Sequence, residues 1–203
     1  MSSIKPGKVD WTGDNPFIYL KKDPAGEWTT LALYFRIATS DYGRGHTILL
    51  LDNPYEKEDA SAPRLVLTDN VELSKYLIDN FVRHFALFRK AVGLDSVKFI
   101  NDAVFSTEEN YPKQIVETGF SESTNIRVSM VWNELQEGIA VDLTAAETQT
   151  NQHEMMCVFQ PALSAKILLN GVEIIGSTIE RDFMGTRAQS ASLANSETWV
   201  RAS

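Results

Sequence analysis

From residue 97 to the C-terminus the chain alternates apolar and polar side chains with a period of two, in short segments separated by turn residues. Ile126, Val128, Met130 and Trp132 alternate with Arg127, Ser129, Val131 and Asn133. Ile139, Val141 and Leu143 repeat the pattern beyond the turn Gln136-Glu-Gly138, and His153, Met155, Cys157 and Phe159 share a face of the next segment, which Pro161 is expected to end. Successive side chains of a strand point to opposite faces, so this pattern predicts half-buried strands. Turns this short force neighbouring strands to run antiparallel. The sharpest signal is Lys166 to Ile175, where Asn170-Gly171 between apolar runs predicts a two-residue type I′ hairpin. Val97 with Phe99, Gln114 to Phe120 and Ser177 to Phe183 add strands; Met184 to Asn195 reads as irregular, and Glu197 to Arg201 as a last strand anchored by Trp199. A meander of this length must close or pack on itself to hide its edges.

The first third reads the same way. Residues 1–16, rich in Pro and Gly, form an extended lead-in anchored by Trp11. Phe17 to Leu20 is a short strand. Leu31, Leu33, Phe35 and Ile37 alternate with Ala32, Tyr34, Arg36 and Ala38, and Thr47 to Leu51 is apolar enough for a strand covered on both faces. Asp52 to Pro63 is a polar surface loop, and Arg64 to Thr68 one more strand.

Between these halves lies one long helical pattern, residues 70–92. At 100° per residue Leu73, Leu77, Ile78, Phe81, Val82, Phe85, Phe88, Ala91 and Val92 fall on one side, with Glu72, Lys75, Asp79, Arg83 and Lys90 opposite. Asp69 with Glu72 reads as a variant capping box, and Gly93 as the left-handed residue that ends the helix. Tyr76 and Leu87 widen the apolar arc, so the helix is expected to be buried on more than one side. His84 and Arg89 intrude on that arc; their ordinary readings are a satisfied core histidine and a snorkelling arginine.

The fold class expected is therefore mainly β with one long helix (β+α). An antiparallel meander closes into a barrel or strongly curved sheet, calycin-like in general shape, with the helix packed on it; a two-sheet sandwich is the alternative. The 203 residues favour a single domain over 1–203. A net charge of −8 without any Lys/Arg-rich run argues against nucleic acid or an anionic membrane as partner. Cys157 is the only cysteine, which rules out an intrachain disulfide and fits a reducing compartment. The N-terminus lacks the apolar stretch of a signal peptide. A cytoplasmic protein is expected.

Motifs that carry chemistry are scarce. His153 and Cys157 are four apart, but on a strand that separates them by roughly 13 Å, so no metal site is expected. Cys157 sits among Met155, Met156, Val158 and Phe159, surroundings that make a thiol inert. Gly43-Arg-Gly-His46 lacks the Gly-Lys-Ser/Thr ending of a phosphate loop and leads into a strand, so it reads as a strand connection. No cofactor is implied. The weak catalytic candidates are His84, His46 and Arg89; Glu154, Asp142 and Glu197 are candidate carboxylate partners, ordinarily solvated in such strands.

Three functions compete. The first is binding of a small, largely apolar or amphipathic molecule in a barrel cavity lined by Trp132, Trp28, Phe81 and Phe85, with Arg36 or Arg89 meeting an anionic head. The second is a cofactor-independent isomerase, cyclase, lyase or decarboxylase using the same cavity. The third is an assembly protein whose helix face is a homo-oligomer interface.

Overall fold

The computed structural model describes residues 7–57, 59 and 61–202. Strands make up 56% of the chain and a single α-helix lies among them, so the mainly-β, one-helix class holds. In chain order β1 (Lys8–Asp14), β2 (Phe17–Leu20), β3 (Thr30–Ser40), β4 (Gly45–Asp52) and β5 (Arg64–Thr68) lead to helix α1 (Val71–Asn80). After three 3-10 turns come β6 (Lys98–Ile100), β7 (Ala103–Asn110), β8 (Gln114–Ser121), β9 (Ile126–Leu135) and β10 (Ile139–Leu143). Then follow β11 (His153–Leu169), β12 (Val172–Glu173), β13 (Glu180–Phe183), β14 (Thr186–Gln189) and β15 (Ala191–Arg201).

Thirteen of these form one mixed sheet ordered β6-β5-β4-β3-β1-β15-β11-β9-β8-β7, with β10 and β12 also on β11, and β2 between β15 and β3. Strands β13 and β14 make a separate hairpin. Only β5 and β6 pair in parallel, and residues 71–96 supply the crossover that a parallel pair requires. Hydrogen bonding closes on itself only over the four strands β1, β3, β2 and β15, a ring too small to be the expected barrel. Of the stretch expected as a lead-in, Lys8–Asp14 is strand β1, between β3 and β15, with Trp11 fully buried; residues 1–6 lie outside the described residues.

The sheet separates two cores. Leu31, Leu33, Phe35, Leu49, Leu51 and Val66 face α1 and the turns after it. Ala32, Tyr34, Ile48, Leu50, Leu65 and Leu67 face Ile115, Val128, Met130, Trp132 and Ile167 from β8, β9 and β11. Strand β4 is apolar throughout because both of its faces are covered. Strand β11 joins the two layers: Met155, Cys157 and Phe159 belong to the first core, Ala162 and Ile167 to the second. It pairs with β10 and β15 up to Pro161, then with β9 and β12. Pro161 does not end the strand; it stands where the strand changes partners, a place that tolerates a missing N–H.

The helix is shorter than its hydrophobic pattern. It stops at Asn80, and residues 82–84, 88–90 and 92–96 form 3-10 turns. Asp79-Asn-Phe-Val-Arg-His-Phe85 holds mostly weak helix formers, and the backbone turns extended at Phe85 (φ −66°, ψ 140°). The breaks spread the three phenylalanines over the core: Phe81 packs on Trp11 and Trp199, Phe85 on the same Trp199, and Phe88 on Tyr19. The N-cap is Asn70, whose Oδ1 accepts from the Leu73 N–H at 3.1 Å. Asp69 is instead committed to His46, accepting from its backbone N–H at 2.6 Å and bonding Nδ1 at 2.7 Å. Gly93 lies inside the last 3-10 turn rather than at a left-handed cap, and a Cβ there would meet Arg64 Nε at 3.1 Å and Pro54 O at 3.2 Å. Tyr76 ties α1 to β1 by donating to the Asp10 carboxylate at 2.7 Å.

The hairpin at Asn170 (φ 52°) and Gly171 (φ 80°) has the two left-handed residues of a type I′ turn. Residues 184–195 are not irregular: they contain β14 and the start of β15. Ala191, Ser192 and Ala194 are buried where β15 meets β2 and β11, a position that small side chains suit. No described helix is long and apolar enough to cross a membrane.

Candidate functional site

Beside the four-strand ring lies a recess of about 470 Å³, roofed by residues 84–89 and flanked by residues 143–149 and the β13–β14 hairpin. Pockets that enclose small molecules run from roughly 300 to 1,000 Å³. Its walls are Phe17 and Tyr19 of β2, Leu33 of β3, Met155 and Phe159 of β11, Phe183 of β13 and Trp199 of β15, with Phe85 and Leu87 above. Phe17 and Tyr19 are two apart on one strand and so share a face, stacking at 4.7 Å between centroids. Phe159 meets Phe183 edge-on at 4.9 Å.

A carboxyl group lies at the floor, placed there by a β-bulge. Ala194 and Trp199 both face the first core although they are five positions apart, an odd spacing that a regular strand would put on opposite faces. Between them the pairing of β15 with β11 slips by one residue, and Ser196 takes φ 56°. The extra residue turns Glu197 and Trp199 onto the face that Ala194 already occupies. Glu197 is only 2% exposed. It accepts from the Trp199 indole N–H at 2.8 Å and is hydrogen-bonded by the side chains of Asn15 and Cys157. Burial, reinforced by the charge of Asp14, outweighs those bonds and pushes its carboxyl up to about 8, so it holds its proton at neutral pH. Burial likewise pushes the Cys157 thiol far up, out of the reactive range.

Two arginines line the recess, Arg89 and Arg181; the less exposed is Arg181 of β13. Its guanidinium lies over Phe183 at 5.2 Å, Tyr19 at 5.6 Å and Phe17 at 5.8 Å. Burial lowers its pKa, yet a guanidinium remains charged at any ordinary pH. Among the described residues its buried Nε finds no acceptor, and Asn15 Oδ1 finds no donor. Apolar walls, a fixed cation and a protonated carboxyl can hold an apolar body and orient polar groups on it. A carboxyl titrating near neutrality can also give or take a proton.

Of the residues singled out from the sequence, His84, Phe85 and Arg89 line this recess, as does the candidate carboxylate Glu197, buried rather than solvated, and Arg89 donates to Gln149 Oε1 at 2.9 Å. The others lie elsewhere. Phe81 is enclosed by Trp11, Trp199 and His153. Trp28 packs edge-on against Tyr19 without lining the recess. Trp132 is fully buried in the second core, its indole N–H donating to Phe17 O at 3.1 Å. Arg36 pairs with Asp14 at 2.9 Å and Glu117 at 3.4 Å. His46 stacks on Tyr34 and Phe105. His153 bonds Asp10 at 2.8 Å under the Phe81 ring. The three histidines therefore do not form one site. Among the described residues no group of three or more His, Cys, Asp or Glu side chains is arranged as metal ligands are.

Alternation in a sequence marks a side chain as buried but does not say in which of two cores, which is why Trp132 points away from the recess; Phe81 shares the first core with the recess but is enclosed by other rings. Asn15 lies in a segment without periodicity and carries no signal; Arg181 lies in the expected strand Ser177 to Phe183, sharing a face with Phe183, but nothing there says what that face covers. Glu197 does carry one: it is two residues from Trp199, so the two share a face. No family model, curated protein or solved structure matches the chain.

Proposed function

We propose that the protein binds a small, largely apolar molecule in the recess beneath residues 84–89. The observation that carries this reading is the aromatic-walled space of about 470 Å³ itself, open at a rim formed by His84, Arg89 and Gln149. The curvature expected of a barrel enters only locally: the ring of β1, β2, β3 and β15 contributes Phe17, Tyr19, Leu33, Glu197 and Trp199 to the floor and walls. Trp199 is the natural reporter. Apolar carboxylates, terpenoids and aromatic compounds, titrated in turn, should include one that quenches tryptophan emission saturably at micromolar concentration, with Trp199→Phe removing most of the change. If no compound shifts emission or melting temperature, and the purified protein carries nothing by native mass spectrometry, the reading fails.

Glu197 favours one second reading, a cofactor-independent isomerase, cyclase, lyase or decarboxylase working on the bound molecule. A buried carboxyl titrating near 8 is poised for proton transfer at neutral pH. Mass spectrometry of the ligand after incubation separates the two: conversion that Glu197→Gln abolishes, with binding retained, supports the enzyme.

A further inference from the structure

We propose that the molecule taken by this recess is an amphiphilic monoanion, its carboxylate or equivalent oxyanion held by the Arg181 guanidinium and its apolar body lying against Phe17, Phe85, Phe159 and Trp199. The inference rests on the binding reading above and names the chemistry of the ligand. It begins from how arginines are treated elsewhere in this chain. Buried Arg64 is fully occupied, donating to the carbonyls of Asp52, Asn53, Glu56 and Lys57 and to Ser96 Oγ. Half-buried Arg36 has the carboxylates of Asp14 and Glu117. Arg181 alone of these three has neither: among the described residues no carboxylate lies within 4.0 Å of its guanidinium, although the chain carries 27 acidic residues.

The nearby acids are otherwise engaged. Glu180, on the neighbouring residue, pairs with Arg187 at 2.6 Å. Glu147 accepts from the Thr144 backbone N–H at 2.8 Å and from its hydroxyl at 2.7 Å. Asp182 contributes charge at the rim without an ion pair. Glu197 is protonated at neutral pH and offers no counter-charge. Arg181 is partly exposed, but its buried Nε lacks an acceptor among the described residues. A largely desolvated cation without a counter-charge is costly, and an arriving anion relieves the cost. Three aromatic rings have their centroids within 5.8 Å of the guanidinium, and the fork of N–H donors on a guanidinium can meet a planar oxyanion two bonds at a time.

A matched pair of fluorescent probes tests this: anilinonaphthalene sulfonate, and phenylnaphthylamine, the same aromatic body without the sulfonate. Both are titrated into the intact protein, with naphthaleneacetate and naphthaleneacetamide as the competing pair. The anionic member of each pair should bind at least about tenfold more tightly, the range of a charge-assisted hydrogen bond. Arg181→Gln should erase that preference and leave the affinity of the neutral members unchanged. Equal affinities within both pairs in the wild-type protein overturn the anion assignment while leaving the cavity reading intact, whatever the variant does. A preference that survives in folded Arg181→Gln overturns it as well. Failure of all four compounds to bind overturns both readings.

Discussion

Replacing Glu197 with glutamine should remove a pH-dependent loss of stability. The carboxyl titrates near 4.5 when unhindered and is pushed up to about 8 in the fold. Between those values the native state holds one proton that the unfolded chain has released, so unfolding free energy falls by about 1.4 kcal/mol for each pH unit. The contribution is thus complete below pH 4.5, declines as pH rises, and stops declining once pH passes about 8. Across the whole window the loss is at most about 5 kcal/mol. Glutamine has the same shape, still accepts from the Trp199 indole, and presents an amide beside Asn15, whose Oδ1 has no donor. It has no proton to lose. Urea titrations of both proteins near pH 5, 7 and 9 read the difference directly, since all other titrating groups cancel. Glu197→Gln should gain on the wild type by at least about 2 kcal/mol between the lowest and highest pH. A constant difference across the three would refute the assignment of a buried, protonated carboxyl.

The two helix-side phenylalanines should separate. Phe81→Ala should cost about 3–5 kcal/mol in a denaturant titration, because the ring is fully enclosed, whereas Phe85→Ala, at the recess, should cost under about 2 kcal/mol and weaken ligand binding instead; equal losses would count against the layout. Gly171→Val should destabilise by more than about 1 kcal/mol through backbone strain alone, since a side chain at φ 80° there meets no atom within 4 Å, and an unchanged melting temperature would remove the type I′ assignment. Asn70→Ala should cost about 1–2 kcal/mol, for it loses the cap to Leu73 and two bonds to the carbonyls of Tyr42 and Arg44, and Asp69→Ala should leave the helix cap in place. Circular dichroism during thermal melting distinguishes those two.

What the sequence determined is local. Period-two alternation located β3, β8, β9 and the first half of β11, because pleating ties burial to residue parity without reference to partners, and a short wholly apolar run located β4. Asn170-Gly171 defined its turn, because left-handed φ is a property of the residues themselves. The one-helix, mainly-β class follows from these same features. The tertiary structure decided the rest. Whether the strands close into a barrel depends on which edges meet, and pairing between distant segments leaves no mark on either one. The apolar arc of residues 70–92 states what must be buried, yet the structure buries it with the helix broken after Asn80, Phe81 and Phe85 meeting Trp199 and Phe88 meeting Tyr19. Strand β15 begins among small polar residues whose strand state comes from the strands on either side of them. The recess is the extreme case. Glu197 reaches it through one bulge at Ser196, and Arg181 from a strand whose place over Phe17 and Tyr19 its alternation does not state, so both depend on contacts more than a hundred residues apart in the chain, such as the pairing of Ser192 with Phe17.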